Sequence, residues 1–347
     1  MATRGTPSAE GALRGTARHV PVLLPQVLRA LSPRQGEVYI DATFGAGGYS
    51  EAILAAAPDA RVLAIDRDPS AIAAGQPIAE SSGGRLTLAQ TRFSALDRIA
   101  RGAGLTPVDG VVLDIGVSSM QLDEQRRGFS FQGDGPLDMR MSGPGPDAGP
   151  TAADVVNETA EARLADIFFH LGEERSARAI ARAIAARRLQ QPFTRTSELA
   201  ALVARVLGRE KIAGRHAATR VFQALRIYVN DELGELGAGL SAAERVLAPG
   251  GRLVVVAFHS LEDRLVKQFL KRRTELPAAG SRHLPPQRSE APPPSFRFVN
   301  QRPLSPTAEE IAANPRSRSA KLRWAVRTEA AAWPEEVIDP AIPRLDA

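Results

Sequence analysis

Short apolar runs, each closed by a polar or glycine-rich turn and followed by a helical pattern, recur along this chain. Val38 to Asp41, Arg61 to Asp66, Leu86 to Gln90, Val108 to Val117 and Arg252 to Phe258 read as five strands. The fourth is almost continuously apolar, as a parallel strand covered on both faces must be. Helical patterns lie between them: Gln26 to Leu31, Glu51 to Ala56, a helix capped by Asp68 with Pro69 at its first position, one opened by a capping-box pattern at Ser94 to Asp97, and Leu261 to Leu270. Strand and helix in alternation predict an α/β fold around a mainly parallel sheet. Phe296 to Val299 and Leu322 to Val326 fit a closing antiparallel pair.

The alternation breaks once. Arg126 to Pro150 is rich in Gly, Pro, Asp and Met, is too long for an ordinary connection and reads as a functional loop that buries little. Apolar residues then follow helical spacing: Leu164, Ile167, Phe168 and Leu171, then Ile180 and Ile184, then Leu199, Leu202, Val203 and Val206. Arg175, Arg178, Arg182, Arg187 and Arg188 lie mostly off that stripe. Residues 126–215 therefore read as an all-helical insertion with a basic face, dividing a domain of residues 19–125 and 216–328. Ala217 to Val246 forms one long helix or two. Residues 1–18 read as a disordered leader, 277–294 as a proline-rich mobile segment and 329–347 as a tail.

Composition narrows the chemistry. The chain of 347 residues has no cysteine, so disulfides, thiolate metal sites and a cysteine nucleophile are excluded. Methylation at cytosine C5, which proceeds through a cysteine adduct, is excluded with them. No apolar run approaches the roughly 18 residues of a membrane span. Arg264 to Arg327 carries 14 Lys/Arg against 4 acids, a local +10 on a chain whose net charge is +5. That asymmetry points to a polyanionic partner.

Candidate ligand chemistry sits at the strand ends. Asp41-Ala-Thr-Phe-Gly45-Ala-Gly47-Gly48-Tyr49-Ser50 is a glycine turn between a strand and a helix, where backbone can approach a ligand closely. Its spacing departs from the dinucleotide fingerprint, and Asp41 would repel a pyrophosphate. S-adenosylmethionine (SAM), cationic and without phosphate, suits the loop better. Asp66 closes the second strand 21 residues after Gly45, where a ribose-binding acid belongs. Phe93 lies where an adenine could stack. Asp114, followed by Gly116, Ser118 and Gln121, ends the fourth strand, and His259 and Ser260 end the fifth.

Several motifs together resemble the bacterial 16S ribosomal RNA cytosine-N4 methyltransferase family: the Asp41–Ser50 loop, Leu63-Ala-Ile-Asp-Arg-Asp-Pro, Leu113-Asp-Ile-Gly-Val-Ser-Ser, Arg127-Gly-Phe-Ser-Phe, Asp134-Gly-Pro-Leu-Asp-Met-Arg-Met, Thr219 to Asn230, Phe258-His-Ser-Leu-Glu-Asp-Arg and Asn314-Pro-Arg-Ser-Arg-Ser-Ala-Lys-Leu-Arg. The match runs from about His19 to Arg327. The resemblance implies a Rossmann-like class I SAM methyltransferase sheet interrupted by a helical insertion domain, and a cytoplasmic enzyme. Its substrate would be a decoding-centre cytosine of 16S ribosomal RNA or the small ribosomal subunit, with no metal, membrane or DNA partner. It implies cofactor contacts at Gly47, Gly48, Tyr49, Asp66, Phe93, Asp114 and Gln121, to which the loop reading adds Gly45. Tyr49 stands where the family usually has His, and Met120 where it has Pro.

A proton acceptor near N4–H would assist attack by this weakly nucleophilic amine; Asp114, His259 and Ser260 are the candidates. Phe129, Phe131 and Arg140 could stack on and clamp a flipped-out base. Arg316 and Arg318 could contact phosphates. Two other readings stay open: a non-catalytic SAM- and RNA-binding assembly factor, and an amino-methyltransferase acting on another nucleic acid. The Asp/Asn-Pro-Pro-aromatic signature of DNA amino-methyltransferases is missing at Asp114-Ile-Gly-Val.

Overall fold

A computed structural model describes residues 21–145, 148–208, 211–212, 215–274 and 292–334. The leader expected over 1–18, most of the proline-rich segment and the end of the tail lie outside these residues.

Seven strands form one sheet: β1 (Val38–Asp41), β2 (Arg61–Asp66), β3 (Leu86–Gln90), β4 (Val108–Asp114), β5 (Leu247–Ala257), β6 (Phe296–Phe298) and β7 (Lys321–Arg327). Their spatial order is β3-β2-β1-β4-β5-β7-β6; the first five are parallel and β7 and β6 run antiparallel. This is the Rossmann-like sheet with an antiparallel closing pair that the alternation predicts. The strand order reverses between β1 and β4, which opens a crevice beyond their carboxyl ends.

Alternate residues feed two cores, as the two-residue period of a strand requires. Tyr39, Val62, Ala64, Val112 and Val254 face helices α1 (Leu24–Leu31) and α2 (Gly48–Ala56), with Ile78 of α3 (Pro69–Ser81) packed alongside. Ile40, Leu63, Ile65, Val111, Leu113 and Val255 face α4 (Leu96–Gly102) and later helices. After β4 come the short α5 (Ser119–Asp123), then α6 (Ala152–Glu158), α7 (Glu161–His170), α8 (Ala177–Arg188) and α9 (Thr196–Leu207). Residues 217–246 form two helices, α10 (Thr219–Asn230) and α11 (Glu232–Val246), joined at Asp231 in the left-handed conformation. Helix α12 (Ser260–Thr274) and the short α13 (Ala308–Ala313) complete the set. The buried stripes of α6–α9 belong to the same apolar cluster as the sheet face beneath α11 and α12.

Several local expectations change. The fifth strand does not begin at Arg252: it starts at Leu247, and the register to β4 jumps from Val108↔Leu247 to Gly110↔Arg252, so Ala248–Gly251 form a bulge within it. No side chain caps α4; Phe93–Ala95 forms a 3₁₀ turn, and Asp97 instead accepts from Arg245 at 2.8 Å. The loop from 126 to 150 is not largely solvated. Phe129, Leu137, Met139 and Met141 all enter the core. Part of the basic face is structural: Arg188 donates to the carbonyls of Val156 and Thr159, and Arg187 stacks on Phe193.

Candidate functional site

The turn after β1 places its glycines by necessity. Gly47 has φ +82°, and a Cβ there would meet Phe44 and Ile78 within 2.9 Å; a Cβ at Gly48 would overlap Pro21. The turn therefore packs against the protein on its outer side and leaves its inner edge to a cavity of about 390 Å³. Every parallel strand contributes a residue from its carboxyl end: Thr43 after β1, Asp66 on β2, Thr91 after β3, Asp114 on β4 and Phe258 after β5. The cavity thus occupies the crevice at the strand-order reversal.

Asp114 is its most distinctive group. Its Oδ1 is fully buried and has no hydrogen-bond partner among the described residues. Only its backbone is engaged, the N–H donating to Thr43 Oγ1 at 2.6 Å. Burial, with the nearby charges of Asp41 and Glu262, holds its pKa well above the usual carboxylate range. A buried acid without a partner is costly unless a ligand completes it. A cationic ammonium or an N–H donor fits.

Asp66 lines the cavity but is already anchored. Its Oδ2 accepts from Gly45 N at 2.8 Å and its Oδ1 from Asp68 N at 2.8 Å. A carboxylate has further lone pairs, so a ribose hydroxyl can still be accepted. Asp41 is fully buried and outside the cavity lining; Ser50 Oγ donates to it at 2.7 Å, and burial pushes its pKa up to about 6. Phe93 packs its Cδ2–Cε2 edge on Gly239 of α11 while lining the cavity.

Two expected contacts are redirected. The Tyr49 hydroxyl donates to the Val22 carbonyl, so it pins the segment before α1. Gln121 caps α5, its Oε1 accepting from Ser118 N at 3.1 Å, and its Nε2 donates to Asp68 at 2.9 Å. Both residues still line the cavity.

The candidates for the base and the phosphates divide. Arg316 lines the cavity, with its guanidinium on Asp123. Arg318 is exposed. Phe129 is buried beneath Arg127, Phe131 packs on His216 and Phe222, and Arg140 forms a bidentate pair with Asp138. None of these three lines the cavity. In this conformation the two rings pack against the protein, because the loop carrying them is tied into the core. His259 and Ser260 also lie outside the lining. Ser260 Oγ donates to Glu173 at 2.9 Å, and His259 Nε2 lies 3.0 Å from Glu262. Burial would raise the Glu262 pKa, but His259, Arg226 and the Phe258 N–H outweigh it and hold it below the usual range.

Residues passed over in the sequence complete the rim. Arg67 donates to Ser142 and to the Asn230 carbonyl, each at 3.0 Å. Arg127 pairs with Asp68 at 2.8 Å and donates to the carbonyls of Arg140 and Met141. Asn230 accepts from Met141 N at 2.8 Å and donates to Met139 O at 2.7 Å. Together they latch the 139–142 backbone beside the cavity. On α10 and α11, Arg226 and Glu232 form a bidentate pair at 2.7 and 2.9 Å that lines the cavity. Donor atoms of Glu232, His259 and Glu262 lie within 4.8 Å of one another, as metal ligands would, but both Glu232 oxygens are on Arg226.

A sequence profile of the MraW methylase family matches residues 16–328. The chain is 58% identical to Ribosomal RNA small subunit methyltransferase H of Azorhizobium caulinodans over 321 residues, covering 92% of this chain and 90% of that protein. The protein of that name from Methylobacterium sp. strain 4-46 is 59% identical over 318 residues, covering 91% and 93%. That from Bradyrhizobium diazoefficiens is 58% identical over 317 residues, covering 91% and 94%.

Proposed function

The chain belongs to the MraW methylase family, and from that premise we propose that it methylates N4 of a cytosine in the decoding centre of 16S ribosomal RNA. It is a SAM-dependent methyltransferase; its relatives are named for the RNA of the small ribosomal subunit. The observation that carries the reading is Asp114, a carboxylate with an unpartnered Oδ1 at the end of β4, in a cavity of about 390 Å³ at the strand-order reversal.

The lining residues fit the cofactor. Asp114 offers an acceptor to its ammonium group or to the substrate amine, Asp66 an acceptor to ribose, Phe93 an apolar face to adenine, and Gly45 bare backbone. Bound SAM supplies a methyl group activated by its sulfonium. The cytosine N4 lone pair is delocalised into the ring, so the protein must hold the amine in line with that methyl. Such positioning is worth on the order of 7–11 kcal/mol. As the N–C bond forms, N4 sheds a proton, and we assign the Asp114 carboxylate, whose Oδ1 is unpartnered, as its acceptor.

We assign residues 19–125 and 216–328 to the methyltransferase domain and 126–215 to substrate recognition. The exposed Arg175, Arg178 and Arg182 on and just before α8 support that division. A ribosomal substrate accounts for the basic C-terminal third and implies a cytoplasmic enzyme. No helix among the described residues is long and apolar enough to cross a membrane.

Labelled SAM incubated with unmodified small subunits, with naked 16S RNA and with DNA tests the assignment. Label is expected in ribosomal RNA and none in DNA. Measurable SAM binding with no label in any RNA would instead indicate an assembly factor without turnover.

A further inference from the structure

Arg226 is held in a way that leaves one guanidinium nitrogen over. Its Nε and Nη2 both donate to Glu232, and the two side chains are only 16% and 4% exposed. Its third nitrogen, Nη1, makes no hydrogen bond among the described residues, although the side chain lines the cavity that holds Asp114. A guanidinium keeps its proton and its planar fork, so two bonds to Glu232 fix the direction of Nη1. Glu232 also cancels the charge. The pair therefore presents an oriented N–H with little net field, which suits a neutral acceptor better than a phosphate.

Resting on the reading that the target is a cytosine, we infer that Arg226, oriented by Glu232, donates from Nη1 to the ring N3 of that base and selects it. Cytosine presents a donor at N4 beside an acceptor at N3. The unpartnered Oδ1 of Asp114 complements the first and the spare Arg226 nitrogen the second. Uracil reverses both: O4 would face a carboxylate and N3–H a guanidinium. The Asp114 and Arg226 side chains line the same cavity. Glu232 is a positioning residue, acting through Arg226. The pair was hidden in the sequence because its members lie six apart across the left-handed junction at Asp231, outside helical i,i+4 spacing.

The test compares wild type, Arg226→Lys and Glu232→Gln on small subunits carrying either cytidine or 3-deazacytidine at the methylated position. SAM affinity and melting temperature are measured alongside. Lysine keeps the charge and loses the fork. On cytidine, Arg226→Lys should lower kcat/KM on the order of ten- to a hundredfold, with SAM affinity unchanged. On 3-deazacytidine, which lacks the N3 acceptor, the variant and wild type should agree within about twofold. Glu232→Gln should show a smaller loss that vanishes in the same way, and it carries the test if the lysine variant does not fold. An undiminished kcat/KM on cytidine, or an equal loss on both bases, would overturn the inference alone. Failure of wild type to methylate any cytosine would overturn the reading beneath it.

Discussion

Asp114 governs how the site responds to pH. Burial and the charges of Asp41 and Glu262 raise its pKa, so protonation neutralises it at higher pH than an ordinary aspartate. A neutral carboxyl attracts a cationic ligand less than a carboxylate does. SAM affinity, followed by calorimetry, should therefore strengthen as pH rises through that titration, and Asp114→Asn should bind more weakly with a flat profile. Parallel profiles for the two proteins would remove Asp114 from the cofactor's surroundings. Tyr49 makes the opposite kind of prediction. Its hydroxyl serves the Val22 carbonyl, so Tyr49→Phe should cost about 1–3 kcal/mol of stability by stranding a buried acceptor. SAM affinity should stay within about threefold, since no ligand contact is removed. The strand-end acids and the glycines were legible because their positions follow from the strand–turn–helix pattern. The direction of the Tyr49 hydroxyl was not, because it depends on a carbonyl 27 residues earlier in the chain.

At the level of elements, the contact between α10 and the 126–150 loop organises one rim of the cavity. Asn230 ends α10 and satisfies the backbone of Met139 and Met141 across about 90 residues of sequence. Asn230→Ala should raise amide exchange at residues 139–142 by at least tenfold while β1 and β4 stay protected; a uniform rise over the whole sheet would mean that Asn230 holds the fold and not this rim. The strands and most helices were readable from apolar periodicity, since both faces of the sheet are covered. The packing of the loop was not. Met139 takes a left-handed backbone conformation, φ 64°, that no local pattern signals, and its carbonyl partner is tertiary. The bulge at Ala248–Gly251 escaped for a related reason: proline and two glycines signal a turn, but pairing with β4 on both sides keeps these residues within the strand.

For the whole molecule, the charge count overstates the surface offered to RNA. Within the stretch counted at +10, Arg273 is buried on Glu244, Arg323 and Lys321 share Asp263, and Arg327 donates to the carbonyls of Glu244 and Ser295. Among the described residues of that stretch Arg264, Lys267, Lys271, Arg272, Arg297, Arg302, Arg316 and Arg318 are exposed, beside Arg175, Arg178 and Arg182 on and just before α8. Each phosphate contact adds about 0.9 to the log–log salt slope. The slope for RNA binding should then be no steeper than roughly −10, with SAM affinity nearly independent of salt. A slope flatter than roughly −2 would mean that these two surfaces do not meet the RNA phosphates. Composition located the basic third of the chain, but only the fold shows which of its charges are neutralised internally.

The central claim is that this cavity delivers a methyl group to an exocyclic amine. Nucleoside mass spectrometry of 16S RNA, recovered after reaction of unmodified small subunits with SAM, tests it most directly. The account predicts N4-methylcytidine, absent when Asp114 is replaced by Asn or much reduced. A methyl group on C5 of cytosine or on a ribose hydroxyl would contradict it: the first is a reaction for which a chain without cysteine has no nucleophile, and the second an acceptor unlike the amine this cavity is read to hold.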